Sequence, residues 1–167
     1  MILGLDVSTT TIGFCLLKEG VIIQAGAIKL DNIEGQFNKA QTAKAILCNL
    51  PSPITTVAIE KSLMGFSAGA SSAKTLHTLA SFNGIISWIV YDLFGIEPIY
   101  LSATSARSTL GIKIPKGQKA KDLVMTWVMQ NETSFQPVTT KSGKAKKHFY
   151  DIADAIVIAR AAEVQSL

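Results

Sequence analysis

Two aspartates three residues apart, Asp151 and Asp154, stand in the run DIADAIVIARAAE, where the nearby positions of the helix they open are apolar. A carboxylate on a core-facing helix is costly unless something positive meets it. Positions i and i+3 are neighbours on a helix surface, so the two acids share a face. Two more acids fall in strand-like runs: Asp6 in the middle of MILGLDVS and Glu60 at the end of TTVAIE. Four carboxylates brought together repel one another unless divalent cations neutralise them, and an oxygen-rich cluster suits Mg²⁺ or Mn²⁺. Two such ions can clamp the attacking and leaving oxygens of a phosphodiester. Each acid alone has a plainer use, since aspartate at a strand end forms turns and acids in a helix's first turn answer the helix dipole. Asp154, inside the apolar face, is the hardest to explain that way.

The elements that must position these acids follow from periodicity. MILGLDVS reads as a strand entering a Ser/Thr turn. IGFCLLK and VIIQAGAIKL are joined across Glu19 and Gly20 as a hairpin, giving a three-stranded antiparallel meander. Residues 36–50 have helical spacing and stop before Pro51, and TTVAIEKS is a β-branched strand. LMGFSAGASSA is loose and turn-prone, and gives way to a long apolar-periodic helix over residues 74–94. PIYLSA is a strand, TSARSTLG a short helix or turn, GIKIPKGQK a basic loop, residues 119–131 a helix and residues 132–147 irregular, before the final helix. This order predicts an α/β fold with a mixed five-stranded sheet, the meander plus parallel strands, flanked by helices. If the first and fourth strands pair in parallel and the last helix packs across them, all four carboxylates converge.

Composition bounds the rest. A chain of 167 residues is read as one domain, residues 1–167, and 48% hydrophobic with 17% charged residues suits a compact core rather than disorder. No apolar run reaches membrane-spanning length, and MILGLDVSTT lacks the basic start and long apolar stretch of a secretory signal, so a cytoplasmic location is expected. Cys15 and Cys48, each in an apolar setting, are expected to be buried thiols rather than a disulfide or metal site. Residues 107–147 hold nine basic residues against Asp122 and Glu132, a net +7, which leaves −3 elsewhere within the total of +4. A basic surface beside an acidic centre is what a polyanionic substrate needs.

GLDVSTTTIGFCLL, VAIEKS and DIADAIVIARA, in this order and at these separations, resemble the RuvC Holliday-junction resolvases of the RNase H-like superfamily over nearly the whole chain. The resemblance implies an RNase H-like fold and maps the family's metal-binding carboxylates onto Asp6, Glu60, Asp151 and Asp154. In that mapping Asp6 bridges two Mg²⁺ or Mn²⁺ ions, Glu60 and Asp154 hold one each, and Asp151 orients metal or water. It further implies a homodimeric endonuclease, free of any membrane, that cuts four-way or other branched DNA symmetrically and leaves 5′-phosphate and 3′-hydroxyl ends, in a bacterial or phage-infected cell. KGQKAKDLV resembles the segment that carries the family's active-site lysine, which puts that role on Lys119 with Lys121 as competitor. Arg107 stands where relatives present a DNA-contacting cation; Lys113, Lys116, Lys121, Lys144, Lys146 and Lys147 complete the expected DNA-binding set. Where relatives often place an aromatic residue to act at the junction centre this chain has Leu63, with Phe66 three residues further on as the candidate.

Val7 and Ser8 stand where cellular members tend to have proline and glycine, and the basic stretch before the last helix is longer than usual. The extra lysines favour sequence-independent backbone binding and hence a broadened tolerance for branched DNA. His148 is read as a helix-start or DNA-facing residue and His77 as a core or interface histidine, on a helix whose Phe82 and Trp88 suit a core or a dimer contact. DVSTTTIG also resembles the phosphate-binding opening of actin-like and sugar-kinase ATPases, but no second phosphate loop is visible. The closer rival is an RNase H-like protein that binds nucleic acid without cutting it, or one that acts on RNA.

Overall fold

The computed structural model describes residues 1–61 and 72–166; Leu63 and Phe66 lie outside the described residues. Strands β1 (Ile2–Val7), β2 (Thr11–Lys18) and β3 (Val21–Lys29) form the expected meander, followed by helix α1 (Gln36–Leu47) and strand β4 (Thr56–Glu60). Then come α2 (Ala73–Phe94), β5 (Ile99–Leu101), α3 (Ala103–Thr109), α4 (Ala120–Asn131) and α5 (Lys147–Gln165). The sheet order is β3-β2-β1-β4-β5, with β1 antiparallel to β2 and parallel to β4, and β4 parallel to β5. Glu19 and Gly20 both take positive φ, 48° and 75°, as a two-residue hairpin turn requires.

Alternation along the strands sorts side chains onto two faces. Leu3, Leu5, Ile12, Phe14, Leu16, Val57 and Ile59 face the layer that contains α1 and α2. Cys15, Leu17 and Ala58 face α3, α4 and α5. Asp6 and Glu60 have the parity of this second face, and each stands at the carboxyl end of a parallel strand.

Helix α5 lies directly against the second face, and glycine makes the approach possible. A Cβ at Gly4 would sit 2.5 Å from the Ala155 carbonyl oxygen and 2.7 Å from the Ala159 Cβ, and one at Gly13 would run into the Asp151 carbonyl. Gly13 is the register partner of Asp6, so the residue that lets α5 down onto the sheet is also the one beside the first carboxylate. Alanines 153, 155, 159, 161 and 162 keep the helix slim where it is buried.

Three expectations need correction. Helix α5 begins at Lys147, so Asp151 lies beyond its first turn, which holds no acid, and the dipole explanation for the pair does not apply. Cys48 is exposed at the C-cap of α1, its thiol against the Ala45 carbonyl, because the flanking Leu47 and Leu50 take the buried positions. His77 is exposed and is not a core residue. On the same helix Phe82 is fully buried while Trp88 is 62% exposed, so α2 serves the core with one face only.

Candidate active site

Three elements bring the four predicted carboxylates together. Asp6 comes from the end of β1, Glu60 from the end of β4, and Asp151 and Asp154 from one face of α5. The Lys121 ammonium, on the first turn of α4, stands 3.8 Å from Asp151 Oδ1 and 4.0 Å from Asp154 Oδ2 while its side chain stays 64% exposed. Among the described residues no three acids, histidines or cysteines are drawn into a cage that would grip an ion as they stand. The carboxylates lie close enough to act on one another's charge, with the Lys121 ammonium beside the two on α5.

Their electrostatics record the crowding. Burial and then the charges of Glu60, Asp154 and Asp151 push Asp6 well above the ordinary carboxylate range, with Lys121 opposing. Burial and Asp154 raise Glu60 to about 7, against the pull of Lys121 and Arg107. Asp154 rises to about 6, mainly through burial, with Lys121 opposing and Asp151 adding to the rise. Asp151 is raised by burial and moderated by Lys121, Lys147 and the Thr11 hydroxyl. These acids resist ionisation in the absence of a counter-charge stronger than one lysine.

Of the two candidate lysines, Lys121 reaches the carboxylates. Lys119 is the N-cap of α4, exposed, and makes no ion pair among the described residues. Arg107 on α3 acts electrostatically on Glu60 and Asp154 and so borders the site. Lys113, Lys116, Lys144, Lys146 and Lys147 are all exposed, the first two on the loop before α4 and the others at the start of α5 and just before it. His148 occupies the first turn of α5; burial, Lys29 and Lys146 push its pKa down.

Two sets of residues escaped the sequence reading. Asn83, buried on α2, donates to the Glu60 carbonyl at 3.2 Å and so ties that helix to the end of β4. A polar residue within the stripe of Phe82, Ile86 and Val90 was the available signal. Gly4 and Gly13 were visible only as small residues in strands, which mark close approach of another backbone.

Strand order, parallel core pairing and the helix across the sheet define an RNase H-like α/β domain. No protein-family model and no curated protein matches the chain. Solved structures do. RuvC of T. thermophilus in complex with a Holliday junction substrate aligns at a TM-score of 0.70 and 14% identity over 99% of this chain and 93% of that one. Another Thermus thermophilus RuvC structure gives 0.63 and 17% over 99% and 94%. The yeast mitochondrial Holliday junction resolvase Ydc2 gives 0.58 and 12% over 99% and 80%. The chain is RuvC-like in fold, as its motifs led one to expect, at a sequence distance that leaves the fold as the shared property.

The donor set also answers whether a cation fits. Among the described residues Lys121 is the one cation within salt-bridge distance of the four carboxylates, three of which are raised in part by one another's charge; they are hard oxygen ligands short of positive charge. Mg²⁺ or Mn²⁺ suits such ligands.

Proposed function

We propose that this chain is a metal-dependent, structure-selective endonuclease that resolves four-way and other branched DNA, working as a homodimer. The observation that carries the reading is the meeting of Asp6, Glu60, Asp151 and Asp154 from three separate elements, within reach of one another's charge and with Lys121 beside two of them. Asp6, Glu60, Asp151 and Asp154 would hold one or two Mg²⁺ or Mn²⁺ ions, which when bound activate water and stabilise charge on the phosphate. The chain's own groups do the remaining work. Lys121, exposed enough to swing from the aspartates to a phosphate, neutralises charge that develops there, and Arg107 assists from α3. The exposed lysines on either side hold the backbone in register without reading sequence. Cleavage by water at the phosphorus, with departure of the 3′ oxygen, leaves 5′-phosphate and 3′-hydroxyl ends.

Paired symmetric cuts need two such sites. Exposed Trp88 and Tyr91 on α2, with Phe37 on α1, support a second copy as the partner. One observation favours a non-cleaving relative: the Lys121 pairing itself, if the ammonium replaced the ion permanently. The test is cleavage of a labelled immobile four-way junction, a flap, a linear duplex and an RNA hairpin, with Mg²⁺ and with EDTA. Metal-dependent, paired nicks in the junction are expected, with the flap cut more weakly. Tight junction binding without cutting of any substrate would establish the non-cleaving reading, and preferential cutting of the RNA would replace the substrate. Cutting confined to one short sequence would end the idea of broad tolerance.

A further inference from the structure

Beside the carboxylates, on the far side of Thr11, lies a separate cavity of about 220 Å³ lined by Thr10, Thr11, Lys29, Asp31, Lys147 and His148. Its chemistry is the inverse of the active site's. Two ammonium groups, an imidazole and the Thr10 hydroxyl offer donors, and Asp31 is the one acid in the lining. One wall, the β1–β2 turn, is hydrogen-bonded in place. Ser8 Oγ accepts from the Thr11 amide at 3.0 Å and donates to the Thr11 carbonyl at 2.8 Å, which locks the β1–β2 turn. Lys39 Nζ pins the same turn through the Thr9 carbonyl at 2.6 Å, and the Leu30 amide ties the end of β3 to the Thr10 carbonyl at 2.8 Å. The positive groups are close to one another, since Lys29, Lys147 and His148 line the same small cavity. A concave lining in which two lysines outweigh one aspartate is a place for an anion.

We propose that this cavity is a subsite for a backbone phosphate of the strand being cut, one nucleotide from the scissile linkage. Lys29 on β3 and Lys147 on α5 clamp the phosphate from opposite sides, with His148 and Thr10 as neutral donors. The spacing suits a neighbouring phosphate. Lys147 precedes Asp151 by about 6 Å along the helix axis, and Thr11 belongs to both places, with its hydroxyl on Asp151 and its flank in the cavity wall. Which phosphate is held rests on the endonuclease reading; that a nucleic-acid phosphate is held does not. Ser8, which departs from the family pattern, thereby acquires a use in holding the β1–β2 turn.

The experiment is binding of wild type, Lys29→Gln and, as a control at the opposite end of the sheet, Lys18→Gln to four-way junctions. Each junction carries one uncharged methylphosphonate linkage, moved one nucleotide at a time through the branch point, and anisotropy is read without divalent metal. Lys29→Gln is expected to weaken binding roughly tenfold and to lower the salt slope by about 1. At one position the methylphosphonate should weaken wild type by a similar factor and Lys29→Gln no further, the signature of a shared contact. Losses that multiply at every position, or a Lys29→Gln no weaker than Lys18→Gln, overturn the subsite. A wild type that cuts junctions with no position coupled to Lys29 sinks the subsite alone. Coupling in a protein that never cuts keeps the subsite and sinks the endonuclease. A chain that binds no nucleic acid sinks both.

Discussion

Helix α5 carries two clusters of buried charge, and they are built on opposite principles. Toward its C-terminal end Arg160 donates from Nε and from a terminal nitrogen to the two oxygens of buried Glu132, at 2.6 and 2.8 Å. Its other nitrogen reaches Glu163 at 2.9 Å and the Gly20 carbonyl at 3.0 Å, while Glu163 accepts from the Gly20 amide at 2.9 Å. Every charge there has a geometric partner, the guanidinium is held above its ordinary range, and the cluster fastens α4 and the β2–β3 turn to α5. Toward the N-terminal end the same helix presents Asp151 and Asp154 to Asp6 and Glu60, with one half-free lysine among four acids. Paired charge holds a structure together. Charge left in excess, at a cost to the fold, marks the place where something else must bind.

That contrast is broken or sharpened by substitution, and the largest effects should be opposite in kind. Asp154→Asn is expected to slow junction cleavage at least about a hundredfold, since even groups one step removed from a metal cost 10–100-fold, while its Tm stays level or rises. Arg160→Met should do the reverse. It strands Glu132 and is expected to cost about 3 kcal/mol, a fall in Tm of roughly 6–12 °C, with cleavage per folded molecule unchanged. If Arg160→Met abolished cutting at temperatures where it is folded, the division between the two clusters would be wrong.

Next in size is the contact that brings the acids together. Gly13→Ala forces a methyl group into the Asp151 carbonyl, and is expected to cost roughly 1–3 kcal/mol as overpacking and to lower cleavage along with stability. Calorimetry beside single-turnover cutting separates the two, and a fully active, fully stable Gly13→Ala would refute the close approach.

The smallest effect is on pH. Glu60 titrates near 7 in the folded chain against 4.5 ordinarily, and Asp154 near 6 against 3.8. The folded state therefore holds protons that the unfolded state has released, so these groups favour folding below about pH 4.5 and withdraw that support as pH rises toward 7. Metal-free protein should lose on the order of 1–2 kcal/mol between pH 5 and pH 7.5 through this site, and Glu60→Gln should flatten the loss. Denaturant melts across that range decide it; equal slopes in the two proteins would show that the repulsion is relieved some other way.

Much of this was legible because periodicity survives in single sequences. The alternation in β1 and β2, the Glu19–Gly20 turn and the acids at strand ends all carry local signals. The phase of a helix start does not: whether α4 begins at Lys119 or a residue later decides which lysine meets the acids, and a helix boundary is soft to a residue or two. The start of α5 at Lys147 falls within a residue of the end of the irregular stretch 132–147, inside that same softness. The Arg160 pairing joins residues 28 apart, and only the fold brings Glu132 and Gly20 to it. Cys48 and His77 look buried by their neighbours and are not, because one residue of rotation on a helix exchanges core for solvent.

The central claim is that the four carboxylates are held apart from any full complement of positive charge so that a divalent ion can take the place. It is tested most directly by thermal unfolding of chelator-treated protein at pH 7.5 as Mn²⁺ is stepped in, wild type beside Asp6→Asn. The wild-type Tm should climb with the logarithm of metal concentration, by about 2.7 kcal/mol of stability at a hundred times the Kd. Asp6→Asn should start higher and respond weakly or not at all. A wild-type Tm indifferent to Mn²⁺, with Asp6→Asn no more stable than wild type, would contradict the account.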